Sequence, residues 1–304
     1  MSVVGFDTSN YTTSIAYFTG VDGVNCSQLL PVKRGELGLR QSDAVFHHTK
    51  SLPELSGRLF SHVQGDIEAV GVSTRPRAVE GSYMPCFMVG YSHAKMLSDA
   101  YRVPLFEVSH QQGHVSASLW SAGRLDLMDT PHLAWHLSGG TTELLLVEPE
   151  GKNVKCSRIG GTTDISAGQL IDRTGVMLGL PFPAGKHLDA LSGEAQGREV
   201  FKVKCPEMEF SLSGVQNKVQ QFHKGDNAET AAYALRCVAF AVRKATENAL
   251  KAYPGLEVVF SGGVASNSML RQLTADLHPI YCAPQYSTDN AMGVAVLTKR
   301  LLEA

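Results

Sequence analysis

A chain of 304 residues with 43% apolar and 18% charged residues has the composition of a globular protein. It is large enough for one big domain or two lobes, and buries roughly three quarters of its unfolded surface. The net charge of −2 excludes a generally basic nucleic-acid binder, so any such contact needs a local basic patch. No apolar run reaches the ~18 residues of a membrane span, and the N-terminus lacks a charged and apolar leader. The cysteines are scattered without Cys-x-x-Cys spacing, which predicts reduced thiols in a cytoplasmic protein.

Val3–Phe18, VVGFDTSNYTTSIAYF, reads as strand, Asp-Thr-Ser-Asn turn, strand. The hydroxyls of Thr8 and Ser9, like the Asn10 amide, can simply close such a turn. Asp7, a carboxylate at the end of a buried strand, is a candidate for holding a metal or a water near a phosphate. Gln41–Leu59 reads as a long helix whose His47 and His48 are expected to face solvent. The strand Ile67–Thr74 runs into Arg75-Pro76-Arg77, a basic loop that is either solvated or suited to a phosphate or carboxylate. Met88–Tyr101 follows as a helix.

The strand Val103–Val108 ends at Ser109-His110-Gln111-Gln112-Gly113-His114. Ser109 and Gln112 fit a capping box, so a helix is predicted to start here. His110 and His114, at i and i+4, then share a face with the spacing of two ligands to one metal. Two imidazoles are too few for a site, so an ordinary polar helix start remains open on these residues alone.

The stretch that organises the chain is Leu133–Val147, LAWHLSGGTTELLLV: strand, small-residue turn, strand. Gly139 and Gly140 allow positive φ and close approach of a ligand, while Ser138, Thr141 and Thr142 offer donors to an anion. The same device occurs at Val3–Phe18 and at Val258–Asn267, VVFSGGVASN, where Gly262 and Gly263 would let a base or ribose lie against backbone. Three such units predict a duplicated fold with a nucleotide between two lobes.

Thr162–Arg173 reads as a helix carrying Asp164, Gly168 and Asp172 in one line, either a sugar-binding stripe or a solvated face. It is expected to stop at Gly179, ahead of Pro181 and Pro183. Gly185 and Asp189 belong to a further small-residue turn that leads to an acid. Ser213 is the expected cap of a helix through Phe222, and Thr230–Leu250 reads as a long buried helix. Asp289 precedes the last helix, Ala291–Leu302, and by itself reads as its N-cap.

Together these stretches resemble the TsaD family over nearly the whole chain. The marks, in family order, are Asp7-Thr8-Ser9, the His110/His114 pair, Ser138-Gly139-Gly140, Gly168 with Asp172, Gly179-Leu180-Pro181, Phe210-Ser211-Leu212-Ser213-Gly214, Gly262 through Ser268, and Thr288-Asp289-Asn290-Ala291. The resemblance implies an α/β fold of the actin-like ATPase type, a duplicated ribonuclease H-like core in two lobes with a nucleotide cleft. The lobes are drawn at 1–108, with the last helix 291–304 packed back on it, and 109–290. It further implies one divalent metal, iron or zinc, on His110, His114 and Asp289. An adenine nucleotide (ATP, AMP or threonylcarbamoyl-AMP) would meet Ser138, Gly139, Gly140 and Thr141 at its phosphate and Asp172 and Asp189 at its ribose. Gly168, Gly185, Gly262, Gly263 and Asn267 would surround the adenosine.

The implied reaction moves a threonylcarbamoyl group from an adenylate to an adenosine beside the tRNA anticodon, with Asp7 and Ser138 as catalytic side chains. The family's habit of pairing with a related, shorter homologue implies a heteromer. Four departures stand out. Asn10-Tyr11-Thr12 replaces the family's acids, Thr141 replaces a His, Ile165 an Asp, and Gln169 a Glu. These positions are expected to line the reacting end, so a nucleotide- and metal-binding paralogue without that activity, acting as a subunit of a complex, is the alternative. A metallopeptidase is disfavoured because no Glu follows His110 as in His-Glu-x-x-His. A small-molecule kinase is disfavoured because it would have no use for the metal set.

Overall fold

The first hairpin forms as its alternation requires. In the computed structural model, which describes residues 2–9, 11–31 and 39–304, β1 (Ser2–Ser9) pairs antiparallel with β2 (Thr12–Phe18). Asn10, expected in this turn, lies outside the described residues. There follow β3 (Gly23–Leu29), α1 (Gln41–Phe60), β4 (Ile67–Arg75), α2 (Phe87–Tyr101), β5 (Leu105–Ser109) and α3 (His110–Ser121). Next come β6 (His132–Leu137), β7 (Thr142–Glu150), β8 (Asn153–Thr162), α4 (Ala167–Met177), α5 (Gly185–Ser192), β9 (Glu209–Phe210), α6 (Ser213–Phe222) and α7 (Asn227–Ala252). The chain closes with β10 (Val258–Ser261), α8 (Ser268–Thr274), β11 (Ile280–Tyr281) and α9 (Met292–Leu302). Among the described residues no helix is long and apolar enough to cross a membrane.

The chain divides into two compact units. The first comprises Met1–Thr130, Glu148–Cys156 and Asp289–Ala304; the second comprises Pro131–Val147 and Ser157–Thr288. The units therefore part after Thr130 and not at the expected 108/109. The reason is that α3 packs along α9 inside the first unit. Gln112, on α3, also holds the Val154 carbonyl through its Nε2 (2.8 Å), which ties Glu148–Cys156 to the same unit.

In the first unit the described strands form a sheet in the order β3-β2-β1-β4-β5, with β4 and β5 parallel to β1. Strand alternation sorts the faces. Val4, Phe6, Val70 and Val72 pack with Leu52, Leu55 and Leu59 of α1 and Val89 and Ala94 of α2. Gly5 and Gly71 lie against Ala295 and Thr298 of α9. Asp7, two residues beyond Gly5, therefore projects toward the face that carries α9.

His48 does not face solvent. It lies in line with Leu52, Leu55 and Leu59 on the buried face of α1, is fully buried, and meets Thr13 Oγ1 through Nδ1 (2.7 Å). Burial pushes its pKa from 6.5 down to about 4. As pH falls through this window the unfolded chain takes up the proton before the folded one, so stability falls with pH and levels off below pH 4. Unfolding titrations should show a loss of about 2 kcal/mol between pH 7 and pH 5 that is absent in His48→Gln.

The second unit holds a sheet in the order β11-β10-β6-β7-β8-β9, with β6 and β7 antiparallel as the central hairpin. Its core surrounds Trp135, whose indole N–H donates to Thr246 Oγ1 of α7 (2.9 Å). The helix expected from Thr162 starts at Ala167, because Ser166 and Gln169 form a capping box. Asp164 thus lies ahead of the helix, and the three-residue stripe with Gly168 and Asp172 does not form. Its carboxylate instead accepts from Leu212 N (2.8 Å), Ser211 Oγ (2.5 Å) and Ser213 Oγ (2.6 Å), and also from Ser213 N. Asp164 therefore caps α6 in place of Ser213; burial works against its charge, but these hydrogen bonds hold it well below the usual carboxylate range. Helix α4 ends as expected, with Gly179 at positive φ and Leu180 N–H returning to the Gly175 carbonyl (2.8 Å).

Candidate functional site

The first unit brings four predicted side chains together. The Ser109–Gln112 capping box starts α3 at His110, so His110 and His114 stack one turn apart with their Nε2 atoms 2.9 Å from each other. Asp289, in the segment leading into α9, places Oδ1 3.2 Å from His114 Nε2 and 3.5 Å from His110 Nε2. Two donors bound to one ion at about 2.1 Å stand about 3.0 Å apart at a right angle and about 3.4 Å apart in a tetrahedron, so these separations fit one cation. Two imidazoles and one carboxylate form the donor set suited to zinc or non-haem iron. Among the described residues, these three form a cluster able to hold a metal, with ligand atoms within 4.8 Å of one another.

Asp7 completes the arrangement without joining the ligands. Its Oδ2 accepts from His110 Nδ1 (2.7 Å) and its Oδ1 from Ser9 N–H (3.0 Å). A proton held on Nδ1 leaves Nε2 as the coordinating atom, the usual work of a carboxylate behind a metal-bound histidine. Without a metal the electrostatics favour a charged His110, and a cation at Nε2 would displace the second proton. Burial pushes the Asp7 carboxyl up, but the charge and hydrogen bond of His110 outweigh it and hold it low. Burial likewise opposes a charged His110, yet Asp7 and Asp289 raise it to about 10. Asp289 is held well below its usual value by the two histidines, against its own burial. Asp7 is buried and Asp289 partly so, and their charges need a positive partner, which protonated His110 supplies unless a bound cation takes its place.

What sequence reasoning missed is the contact that sets this geometry. Helices α3 and α9 meet through Gly113 and Gly293: a Cβ on Gly293 would stand 2.7 Å from the Gly113 carbonyl carbon and 2.8 Å from Ala117 N. The signal was present as a glycine between the two histidines, and was read only as part of the motif.

The second unit holds the predicted nucleotide residues. Ser138 Oγ accepts from Thr141 N–H (3.1 Å), so the hydroxyl closes the β6–β7 turn. Ser166 Oγ donates to the Gly139 carbonyl (2.6 Å) and Ala167 N–H to Thr142 Oγ1 (2.8 Å), which docks the start of α4 on that turn. Gly139 and Gly140 do not take positive φ. A Cβ on either, or on Gly185 or Gly263, would meet open space, as it would at many other glycines of the chain. Gly168 and Gly262 differ. A Cβ on Gly168 would stand 2.5 Å from the Ser138 carbonyl oxygen, and one on Gly262 would run into the Leu137 backbone. These two glycines let neighbouring backbone segments pack closely.

Gly168→Ala should therefore push α4 off the turn, at a cost of about 2–3 kcal/mol by overpacking. Urea unfolding measures that loss. Asp172 has its carboxyl raised by burial and accepts from Ala184 N–H (2.8 Å) through Oδ1. Asp189 binds Asn267 Nδ2 (2.8 Å) and Ser268 Oγ (2.7 Å), and Asn267 Oδ1 caps α8 at Leu270 N–H (3.0 Å). Asp172 lies on α4 and Asp189 on α5 of the same unit, and Asn267 is engaged in architecture.

A family model described as TsaD, tRNA N6-adenosine threonylcarbamoyltransferase, matches residues 37–296. The chain belongs to the TsaD family. Similar relatives include the tRNA N6-adenosine threonylcarbamoyltransferase of Streptococcus pneumoniae serotype 2 strain D39, 30% identical over 96% of this chain and 90% of its own. That of Streptococcus suis strain 05ZYH33 is 33% identical over 76% of this chain and 70% of its own. Among solved structures, full-length HypF in its phosphate- and nucleotide-bound form covers 100% of this chain and 47% of its own, with a TM-score of 0.62 at 15% identity. The ADPNP-bound activator of 2-hydroxyisocaproyl-CoA dehydratase from Clostridium difficile gives 0.57 at 16% identity, over 100% of this chain and 97% of its own. The ROK hexokinase of Thermus thermophilus gives 0.53 at 14% identity, over 100% and 99%. These likenesses establish the actin-like ATPase fold.

Two of the departures from the TsaD pattern are structural. Ile165 is packed against the core of the second unit, and Gln169 accepts from Ser166 N–H (3.1 Å) to close the capping box. Ile165 is half-buried and Gln169 is exposed at the start of α4. Tyr11, 36% exposed at the tip of the first hairpin, and Thr141, half-buried in the β6–β7 turn, remain as changes that face outward.

Proposed function

We propose that this chain is a metal-dependent transferase that moves a threonylcarbamoyl group from its adenylate to the N6 of an adenosine in tRNA, beside the anticodon, in the cytoplasm. The observation that carries the reading is the meeting of His110, His114 and Asp289, backed by Asp7, in a chain of this family. A divalent cation on these three side chains, iron or zinc, supplies Lewis acidity toward phosphate or carbonyl oxygen when bound. Asp7 keeps the proton on His110 Nδ1 and so fixes the ring. In the second unit, the open sides of Gly139, Gly140, Gly185 and Gly263 admit an adenine nucleotide, with Asp172 and Asp189 as acceptors for ribose hydroxyls. In the transfer, a bond forms between adenosine N6 and the carbamoyl carbon. The bond from that carbon to the phosphate oxygen breaks, AMP leaves, and N6 gives up one proton.

The test supplies the purified protein with threonylcarbamoyl adenylate and unmodified tRNA, then measures the modified nucleoside by mass spectrometry together with released AMP. Modified adenosine formed in step with AMP, and lost on chelation, is the expected result. The exposed Tyr11 and half-buried Thr141, where the family has other residues, favour one second reading: a nucleotide- and metal-binding subunit working with a related, shorter homologue. Stoichiometric metal and nucleotide binding without product would establish that alternative.

A further inference from the structure

We propose that the loop from Arg75 to Tyr83 receives a single-stranded stretch of the RNA acceptor, with Arg75 and Arg77 on its phosphates and Tyr83 stacked on a base. The inference rests on the transferase reading above and adds where on the first unit the acceptor lies.

The loop is fastened on both sides of the first metal ligand. Arg75 ends β4 opposite Ser109 in the parallel ladder, and Ser109 is the N-cap residue directly before His110. The Pro76 carbonyl accepts Gln111 N–H (3.0 Å), one residue after His110. On the far side, the Phe87 ring stands edge-on to His110 with centroids 6.1 Å apart, and Phe87 N–H returns to the Met84 carbonyl (3.2 Å). The loop between is shaped by its own bonds, Arg77 N–H to Ser82 Oγ (3.0 Å) and Ser82 N–H to the Val79 carbonyl (3.2 Å).

Its outward side chains include two cations and an aromatic ring. Arg75 and Arg77 are exposed, Tyr83 is 64% exposed, and Glu80 is the sole acid between Arg75 and Pro85. Guanidinium groups beside an accessible aromatic ring suit unpaired nucleotides, which offer phosphates to the first and a π-face to the second. A chain of net charge −2 needs a local basic patch for any RNA contact, and this loop is such a patch beside His110. Val79, 56% exposed, widens the apolar part of the same surface.

The test measures binding of a fluorescent, unmodified anticodon stem-loop to the full-length protein by anisotropy across a salt series. Metal content and nucleotide affinity are followed in parallel. The double variant R75Q/R77Q should bind about tenfold more weakly, and its dependence of log K on log salt should be shallower by about 1.4, or 0.7 for each lost phosphate contact. Tyr83→Ala should weaken binding about tenfold with the salt slope unchanged, and Tyr83→Phe should restore it. Metal content and nucleotide affinity should stay at wild-type values throughout. If the wild type binds the stem-loop and R75Q/R77Q matches it in affinity and slope, the loop proposal is overturned while the transferase reading stands. A wild-type protein that binds neither the stem-loop nor whole tRNA overturns both.

Discussion

His114→Ala is expected to take bound metal from one equivalent per chain to none detectable and to abolish threonylcarbamoyl transfer. His114 Nε2 lies 2.9 Å from His110 Nε2 and 3.2 Å from Asp289 Oδ1, so it is the donor closest to both of the others. Its loss leaves one imidazole and one carboxylate, too few to hold a transition metal against water and buffer. Asp7→Asn should act differently. All three ligands stay in place, but His110 Nδ1 loses its charged partner, and metal affinity should fall about 10–100-fold without vanishing. Elemental analysis of the purified variants, followed by competition with a graded series of chelators, separates the two outcomes. Stoichiometric metal in His114→Ala would remove the centre from any account of this protein.

The second large effect is expected from a residue that touches no ligand. Gly293→Ala should destabilise the protein by about 3 kcal/mol and also strip the metal. The added methyl group has backbone, not a flexible side chain, as its neighbour, so α9 must move away from α3. Asp289 is three residues ahead of α9, whereas both histidines ride on α3. Separation of the helices therefore opens the 3.2 and 3.5 Å gaps that define the site. Gly168→Ala serves as the control, since it is also an overpacking change but lies in the second unit. Metal content measured well below the midpoint of thermal unfolding should be lost in the first variant and retained in the second.

How much of this was visible beforehand follows from the range of the interactions. The His110–His114 pair and the start of α3 are local, set by a capping box and a helical turn, and were read from spacing alone. Asp289 is 175 residues from His114, and no periodicity links them; only the resemblance to a family supplied it. Asp7 was noticed as a strand-end acid, but its bond to His110 depends on which face of β1 carries α9. Elsewhere the signals were present and misread. Ser166 and Gln169 repeat the capping device of Ser109 and Gln112, and would have moved the start of α4 past Asp164. His48 continues the row of Leu52, Leu55 and Leu59, which placed it inside. The packing roles of Gly168 and Gly262 depend on backbone brought in by other strands, and neither sequence neighbour hints at it.

The first unit is assembled from three separated segments of the polypeptide, and this bears on its birth. While the ribosome is still adding residues, the histidines are already out but their carboxylate partner and the helix behind it are not. Assembly of the three-residue cluster must therefore wait until the ribosome has passed Asp289, and a nascent chain arrested before it should emerge unable to retain a cation there.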